Sequence, residues 1–474
     1  MQFERARREL APRHVPTVNT PRAIALAPAT LNSGRERGRR QLVAVVMLIY
    51  LLAIFEGSIR KYLLPGLGAY VFFVRDPFVL IAFVLASRHR LWPAGNLWLT
   101  LTTAMAGLGV LLLVLQIALF GVDNLRLILG VYGWRGYFYY LPLAFLIGAQ
   151  FQAADLQRLM RWTLWLAAPI ALLVALQYFS PMDATINVGV AEEKELQFKG
   201  MGLNATRIRP SGPFTSNLGQ TQFVATACAL VLAGLIAPAG FRRVRPWLLL
   251  VGAAAVMVCV ALGGSRGTML QALLTVVFAM GIGLVGRGAA MRSKALVLPL
   301  VLAGVATLLY PIVFPDGFTA LMARFDAAGQ AEASFEGGVF GRALFGLVDF
   351  IRLIDSVPPL GYGLGYGGNA SITLGAMVDG VAPGTLVETD FARHMVDLGP
   401  ALGLAYIAFR VALVLWIGRQ VWRVTQQRSD PLPMMLYAYV SYTVLLGQIS
   451  GNGSINAYGW LFTGFCMAAV RTAR

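Results

Sequence analysis

Arginines that interrupt otherwise apolar segments are the side chains of this chain best suited to chemistry. The clearest is Arg266, which lies in the sequence GGSRG (263–267) at the centre of an apolar stretch over 247–286. That stretch is long enough for two membrane-spanning helices of about twenty residues each. A turn between two such helices needs glycine but no arginine, and a guanidinium in a membrane costs about 2.5–3.5 kcal/mol on insertion scales. The position of Arg266 therefore predicts a function, and we expect that function to be anion binding.

A second basic stretch leads directly into an apolar segment. It reads RPSGPFTSN over 209–217 and begins two residues after Arg207. Its two prolines restrict the backbone, and Ser216 and Asn217 are both residue types that favour a helix N-cap. The free N–H groups of the following helix would face an anion, which Arg209 and Arg266 would hold through their planar guanidinium groups. An interfacial loop whose arginine extends toward the lipid headgroups is the alternative interpretation.

A third cluster combines acidic, basic and imidazole side chains between positions 388 and 399. If this segment is helical, the i, i+3, i+4, i+7 spacing places four ionisable side chains on one face: Asp390, Arg393, His394 and Asp397. An ion-paired helix start is the alternative interpretation of the same spacing. These residues provide neither a serine–histidine–aspartate order nor a metal-ligand cluster, so the sequence predicts no metal site.

The segment GYGLGYGG (361–368) contains a formal GxGxxG pattern. No predicted strand precedes the pattern and no βαβ unit surrounds it, so it does not predict nucleotide binding. Glycine permits the close approach of a backbone to a ligand. With Tyr362 and Tyr366 exposed, the segment is a candidate glycan-binding surface, and a flexible turn is the alternative interpretation.

Composition sets the fold class in which these residues act. The chain has 474 residues, of which 57% are hydrophobic and 13% charged, against about 25% charged residues in a typical soluble domain. Such a composition predicts an all-α polytopic membrane protein. The three cysteines lie in apolar stretches and form neither a disulfide framework nor a metal-binding spacing.

The net charge of +17 comes from a basic N-terminal tail and from the connections between apolar segments. Nine arginines fall within the first forty residues, among prolines and alanines that lack apolar periodicity. We interpret residues 1–40 as a disordered cytoplasmic tail, which could also attract anionic lipid headgroups. This placement of charge does not predict a nucleic-acid partner.

Twelve apolar segments are predicted to span the membrane. The basic connections alternate along the chain, and the positive-inside rule places them, with both termini, in the cytoplasm. Residues 41–314 then hold spans 1–9, residues 315–398 form a large extracytoplasmic loop subdomain, and residues 399–474 hold spans 10–12. The predicted spans are 41–56, 70–87, 97–120, 124–149, 160–180, 213–237, 247–262, 268–286, 295–314, 399–418, 433–450 and 456–470.

Positive charge on the opposite, outer face is the exception to this pattern, because the positive-inside rule makes it scarce there. An anion held at the outer membrane surface is the simplest reason for it. Arg135 adds a further cation inside the fourth predicted span. The basic residues of the outer face are Arg60, Lys61, Arg75, Arg207, Arg209, Arg266, Arg324, Arg342, Arg352 and Arg393.

These motifs, in this order, resemble those of the O-antigen ligase/polymerase superfamily of bacterial envelope glycosyltransferases. The resemblance covers residues 40–470, and the matching stretches are RPSGPF (209–214), GSRG (264–267), PLGYGLG (359–365) and the segment from Glu388 to DLGPALG (397–403). The early segment EGSIRK (56–61) and the pair Arg75-Asp76 resemble members associated with exopolysaccharide polymerisation more than lipid A ligases.

The resemblance implies a multi-pass protein of the bacterial inner membrane whose active site faces the periplasm and takes an undecaprenyl diphosphate-linked glycan. It implies no nucleotide sugar, metal or cofactor, and its further partners would be the lipid bilayer, a chain-length regulator and export proteins. The implied reaction is polymerisation of oligosaccharide repeat units with loss of undecaprenyl diphosphate. Ligation of polysaccharide to lipid A core is the alternative, and transport of lipid-linked oligosaccharides or other polyols is a further one.

Arg266 is counted among the catalytic residues, because an arginine can stabilise the departing diphosphate in place of a metal ion. In ligase members a histidine often stands eleven residues before the glycine that corresponds to Gly399. That position holds Glu388 here, and His394 lies six residues further on. Glu388 is therefore the first candidate for the catalytic base and His394 the second. The expected diphosphate- and glycan-binding residues are Arg209, Arg207, Arg135, Arg60, Arg393, Tyr362 and Tyr366.

Overall fold

The computed structural model describes residues 33–67, 71, 73–121, 123–189, 208–239, 244–315, 317–319, 322, 345–368, 370–371, 374–377, 387 and 389–473. Residues 1–32, which make up most of the predicted tail, lie outside the described residues, as do Arg207 and Glu388. Within the described ranges the regular structure is helical and includes no strand. The predicted all-α class is confirmed.

Thirteen α-helices of ten residues or more lie in the described ranges, with π-helical turns at Ile59–Leu63 and Arg135–Tyr139. Short 3₁₀ turns lie at Pro65–Leu67, Thr185–Asn187 and Asp349–Leu353. The helices in chain order are α1 (Ser33–Ser58), α2 (Asp76–Arg88), α3 (Leu97–Phe120), α4 (Asn124–Trp134), α5 (Leu141–Gln150), α6 (Ala153–Phe179), α7 (Asn217–Ile236), α8 (Pro246–Gly263), α9 (Arg266–Val285), α10 (Ala289–Val313), α11 (Asp390–Gln427), α12 (Leu432–Leu446) and α13 (Gly453–Thr472).

Eight helices of the described chain are long and apolar enough to cross a membrane: α1 with the π-helical turn after it, α3, α6, α7, α8, α9, α10 and α11. Their lengths and composition are those of a multi-pass membrane protein. The remaining predicted spans coincide with helices that are shorter, interrupted or less apolar. α2 has 13 residues and α12 has 15, whereas α13 has 20 but is not among the eight.

The predicted fourth span, 124–149, is not one continuous helix. The π-helical turn Arg135–Tyr139 separates α4 from α5. Pro142, in the first turn of α5, has no N–H to donate into a preceding turn. Gly136 also lies so close to Ser450 that a Cβ at this position would stand 2.5 Å from the Ser450 carbonyl oxygen. The break thus has a local cause in proline and a long-range cause in packing.

α1 begins at Ser33 rather than at residue 41, so the end of the predicted disordered tail is helical. Glu36 forms ion pairs with Arg39 at 2.9 Å and with Arg40 at 3.0 Å, its i+3 and i+4 neighbours. Arg39 also lies 2.8 Å from Asp155 of α6. These ion pairs favour a helical turn in a segment whose composition alone indicated disorder.

The centre of the bundle is built around α7 and α13. α13 packs against α5, α7 and α12, and its residues Trp460 and Phe462 are fully buried. On the periphery α8 packs against α6, and α9 against α10. Many large apolar side chains of α3 and α10 are exposed, which suits helices that face lipid rather than water.

Candidate functional site

The end of α1 is fixed against the loop that precedes α7. Ser58 Oγ donates to the carbonyl oxygen of Pro213 at 3.2 Å, and Lys61 Nζ donates to Ser211 Oγ at 2.6 Å. A Cβ at Gly57 would stand 2.1 Å from the carbonyl carbon of Phe214. Because only glycine allows this approach, the sequences EGSIRK (56–61) and RPSGPF (209–214) form one interlocked junction.

Arg209, one of the predicted anion ligands, begins this loop. Its side chain is partly exposed, but its Nε is buried and has no hydrogen-bond partner in the described part of the chain. Ser211, two residues later, is held by Lys61. A buried N–H without an acceptor is unfavourable, and a ligand oxygen would remove this cost. The geometry therefore suits Arg209 to binding an anion.

The N-terminal ends of α7 and α9 are joined by side-chain hydrogen bonds. Thr221, in the first turns of α7, has its Oγ1 3.2 Å from Ser265 Oγ and 2.8 Å from Thr268 Oγ1. Ser265 in turn caps α9 by accepting from the N–H of Thr268. Arg266 is the first residue of α9 and is partly exposed. The structure therefore brings the turn that carries Arg266 to the same end of the bundle as the start of α7.

The N-cap of α7 falls where the sequence predicts it. Ser216 is the N-cap residue, with an extended backbone (φ −144°, ψ 171°), and α7 begins at Asn217. The Ser216 side chain makes no capping hydrogen bond. The start of α7 is therefore not closed by its own N-cap side chain, and the N–H groups at a helix N-terminus favour an anion.

Two of the predicted binding arginines are instead paired with carboxylates, a partly exposed one for Arg135 and a buried one for Arg60. Arg135 forms a bidentate pair with Asp76, with Nε at 2.5 Å and Nη2 at 2.9 Å from the two carboxylate oxygens. Arg60 is 4% exposed and lies 3.7 Å from Glu56, which also pairs with Arg75 at 2.8 Å. These pairs occupy donors that were expected to contact substrate. Substrate binding by these two arginines stays a prediction, and the pairs give both of them a structural role.

The third predicted binding arginine, Arg393, belongs to a buried ionic cluster at the start of α11. Its Nη1 lies 2.9 Å from Asp390, and its Nε donates to the carbonyl oxygen of Gly367 at 2.7 Å. Arg410, farther along α11, pairs with the carboxylate of Asp390 at 2.5 Å. Ser450 Oγ also donates to Asp390, at 2.6 Å. Asp390 therefore holds two arginines inside the protein.

His394 lies at the centre of a chain of hydrogen bonds and is fully buried. Its Nε2 is 2.6 Å from Arg410 Nη1, and since a guanidinium can only donate, this nitrogen accepts. The proton is then on Nδ1, which donates to the Tyr137 hydroxyl at 3.2 Å. Tyr137 donates to Asp397 at 3.0 Å. Both imidazole nitrogens thus have protein partners, which supports the ion-paired alternative for this segment, while a role as base remains a prediction.

The glycine-rich segment 361–368 is packed inside the protein. Gly365 has φ +82°, and a Cβ there would stand 2.2 Å from the carbonyl oxygen of Leu129 in α4. The Gln116 side chain, fully buried in α3, accepts from the N–H of Leu364 at 2.9 Å. Tyr366 is 4% exposed, so the expectation of an exposed tyrosine is wrong there. The glycines are needed for contact with helices and not for a flexible turn.

Tyr362 is partly exposed, unlike Tyr366. Its backbone N–H donates to the carbonyl oxygen of Val396 at 2.8 Å. Gly361 and Gly399, with φ of +71° and +73°, meet at this contact, and Gly399 breaks α11. The backbone of Tyr362 is therefore fixed next to the break in α11, and contact of its side chain with a glycan remains a prediction.

Several residues of these clusters were not identified from the sequence as site residues. Arg410 lies in the predicted span 399–418, and its place in an apolar run is a signal that could have found it, because ionisable residues in membrane helices are costly. Gln116 is a similar polar residue within α3. The sequence did not indicate that Asp76 pairs with Arg135 or that Lys61 donates to Ser211, because these partners lie far away in the sequence.

Gly57→Ala is expected to lower the thermal midpoint of the purified protein, with a loss of about 1–3 kcal/mol from overpacking. The new Cβ would meet the Thr215 backbone nitrogen at 2.2 Å. The matched control is Gly107→Ala in α3, which has open space around it. In an open helix this change stabilises by up to about 1 kcal/mol. Similar midpoints for the two variants would contradict the interlocked junction.

Comparison of the chain with models of protein families found no match, and comparison with curated proteins found none. Family membership is therefore not shown.

Proposed function

We propose that the chain is a membrane glycosyltransferase that polymerises undecaprenyl diphosphate-linked oligosaccharide repeat units in the synthesis of a bacterial surface polysaccharide. The observation that carries this proposal is the setting of Arg209. Its buried Nε lacks a partner within the described ranges, and its loop is fixed against α1 at the start of α7. The turn that carries Arg266 is bonded to the same helix. This arrangement suits the binding of a diphosphate.

We place this site at the periplasmic face of the inner membrane. In this arrangement the eight long apolar helices form eight of twelve spans. The other four spans are formed by α2, the interrupted pair α4 and α5, α12 and α13. Basic connections then alternate with less basic ones, which orients both termini to the cytoplasm. Residues 315–398 would form the periplasmic subdomain, next to the break in α11 at Gly399.

In the proposed reaction a sugar hydroxyl attacks the anomeric carbon of a lipid-linked glycan. The new carbon–oxygen bond forms as the bond to the diphosphate breaks, and undecaprenyl diphosphate leaves with the electron pair. This leaving group needs no protonation, unlike that of a two-carboxylate glycosidase. Arg209 and Arg266 would stabilise the charge that develops on the diphosphate, and the hydroxyl proton would pass to a base.

Glu388→Gln is expected to lower turnover by about two orders of magnitude or more, because the amide cannot accept the hydroxyl proton. Glu388 lies outside the described residues, one position before the N-cap of α11 at Thr389. Binding of the lipid-linked donor should be retained. The measurement is the rate of polymer formation together with donor affinity.

His394→Ala is the comparison for this prediction and is expected to affect turnover less than Glu388→Gln. Because His394 accepts from Arg410 inside the protein, its loss should instead lower the thermal midpoint. A larger loss of turnover in the histidine variant, at an unchanged midpoint, would move the role of base to His394. Two variants with normal turnover would mean that no protein base is needed.

The experiment that tests the proposed function is transfer by the purified protein in detergent. The donor is an undecaprenyl diphosphate-linked repeat unit. We expect release of undecaprenyl diphosphate and glycans of two or more repeats, detected by mass spectrometry. Product that forms only when lipid A core is added would identify a ligase instead. Movement of the intact donor across a vesicle membrane without release of undecaprenyl diphosphate would favour a transporter.

A further inference from the structure

Arg126, in the first turn of α4, has a setting that the proposed reaction does not use. Its guanidinium carbon lies 5.0 Å from the ring centroid of Phe120 and 5.4 Å from that of Tyr366. Its Nε and Nη1 are buried and have no hydrogen-bond partner among the described residues. Asp123, three residues earlier, is exposed, and its side chain makes no capping bond. Asp123, the nearest acidic residue in the sequence, therefore accepts no hydrogen bond from Nε or Nη1 of Arg126.

Two aromatic faces stabilise a guanidinium by cation–π attraction but do not accept hydrogen bonds in its plane. The Nε–H and Nη1–H of Arg126 have lost water without gaining an acceptor. Such donors are unfavourable unless a ligand fills them. An oxyanion such as a phosphate accepts charge-assisted hydrogen bonds from the N–H groups of a guanidinium, so it is the ligand that fits these donors.

The place of Arg126 in the fold indicates where that phosphate comes from. α3 has 24 residues and is therefore about 36 Å long, more than the hydrocarbon thickness of about 30 Å. Its last residue, Phe120, thus reaches the depth of lipid headgroups. The apolar side chains nearby in the sequence are open to lipid, since Leu119 is 66%, Leu127 46% and Ile128 57% exposed.

We propose that Arg126 binds the phosphate group of a membrane lipid, whose hydrocarbon chains lie along the exposed ends of α3 and α4. Phe120 and Tyr366 contact the guanidinium through their ring faces and leave its unpartnered N–H donors for the phosphate oxygens. Anionic phospholipids and polyprenyl diphosphates share this phosphate chemistry. The site uses neither Arg209 nor Arg266, and it does not depend on the proposed transfer reaction.

The test is lipid binding by the purified full-length protein after delipidation, measured by native mass spectrometry. The probes are phosphatidylglycerol, undecaprenyl diphosphate and diacylglycerol, which lacks phosphate. Arg126→Gln is expected to weaken binding of the preferred phosphate lipid by about 10- to 100-fold, the effect of losing a charged hydrogen-bond donor. Arg126→Lys should weaken it by about tenfold, because an ammonium cannot reproduce the planar fork.

The matched control is Arg161→Gln, an exposed arginine of α6 that should leave binding unchanged. Phe120→Leu, which removes one ring at a 45% exposed position, should also weaken binding and serves if Arg126→Gln does not fold. Preference for phosphatidylglycerol would identify a phospholipid site, and preference for undecaprenyl diphosphate a site for the polyprenyl lipid. Equal binding of diacylglycerol, or normal binding by folded Arg126→Gln and Phe120→Leu variants, would overturn the proposal.

Discussion

Asp390→Asn is expected to lower the free energy of unfolding by about 3–5 kcal/mol, because it leaves two buried arginines without their shared carboxylate. Arg393 and Arg410 lie 2.9 Å and 2.5 Å from Asp390, and all three residues are buried. Asparagine has nearly the same shape as aspartate, so the loss of charge and not a cavity causes the effect. Unfolding of the purified protein in detergent, followed by tryptophan fluorescence, measures it.

The control for this prediction is Asp123→Asn, an exposed acid at the start of α4. Surface changes of this kind are usually within about 0.5 kcal/mol. The double variant Asp390→Asn with Arg410→Met should recover part of the loss, since removing both members of a buried pair is less harmful than removing one. Recovery will be incomplete because Arg410 also donates to the carbonyl oxygen of Val444. Normal stability of the single variant would show that the arginines do not need this carboxylate.

The helical class and most long helices could be predicted from the sequence, because apolar runs of membrane length have few alternative folds. The N-cap at Ser216 is one of the two predicted positions, and the turn between α8 and α9 was also predicted, although Arg266 begins α9 instead of lying in the turn. Local interactions decide these features. The start of α1 at Ser33 was missed because the tail's composition outweighed the ion pairs of Glu36.

The pairing of charged residues could not be predicted, because the partners are distant in sequence. Arg135 and Asp76 are 59 residues apart, and Tyr137 and Asp397 are 260 apart. Two residues within one π-helical turn therefore join two separate polar clusters. Helical periodicity does not predict these partners, because it describes the faces of one helix and not the residues against which that helix packs.

The same limit explains why the sequence did not predict how the glycine-rich segment 361–368 packs. Its glycines were interpreted as a flexible or sugar-facing surface because glycine allows many conformations. In the fold they allow close packing instead, as a Cβ at Gly133 would stand 2.3 Å from the backbone nitrogen of Gly365. A short glycine motif indicates that another group approaches the backbone closely. It does not indicate whether that group is a ligand or another helix.

Arg209→Gln is expected to lower the rate of glycan transfer by about 10²–10³, the loss found when one donor to a developing negative charge is removed. Arg209 carries this expectation because its buried Nε has no hydrogen-bond partner within the described chain. Its loop is independently fixed by the contact of Lys61 with Ser211, so the variant should still fold. Arg209→Lys should also transfer poorly, because a point charge does not replace the planar fork.

The measurement is the steady-state rate with a lipid-linked donor, together with the thermal midpoint of each variant. Arg423→Gln, an exposed arginine of α11, is the matched control and should transfer at the normal rate. A lower maximal rate shows that Arg209 acts on the departing diphosphate, whereas a change in donor affinity alone would place it in ground-state binding. A normal rate and affinity in a folded Arg209→Gln variant would exclude this loop as the diphosphate site, because Arg209 is the group there with an open buried donor.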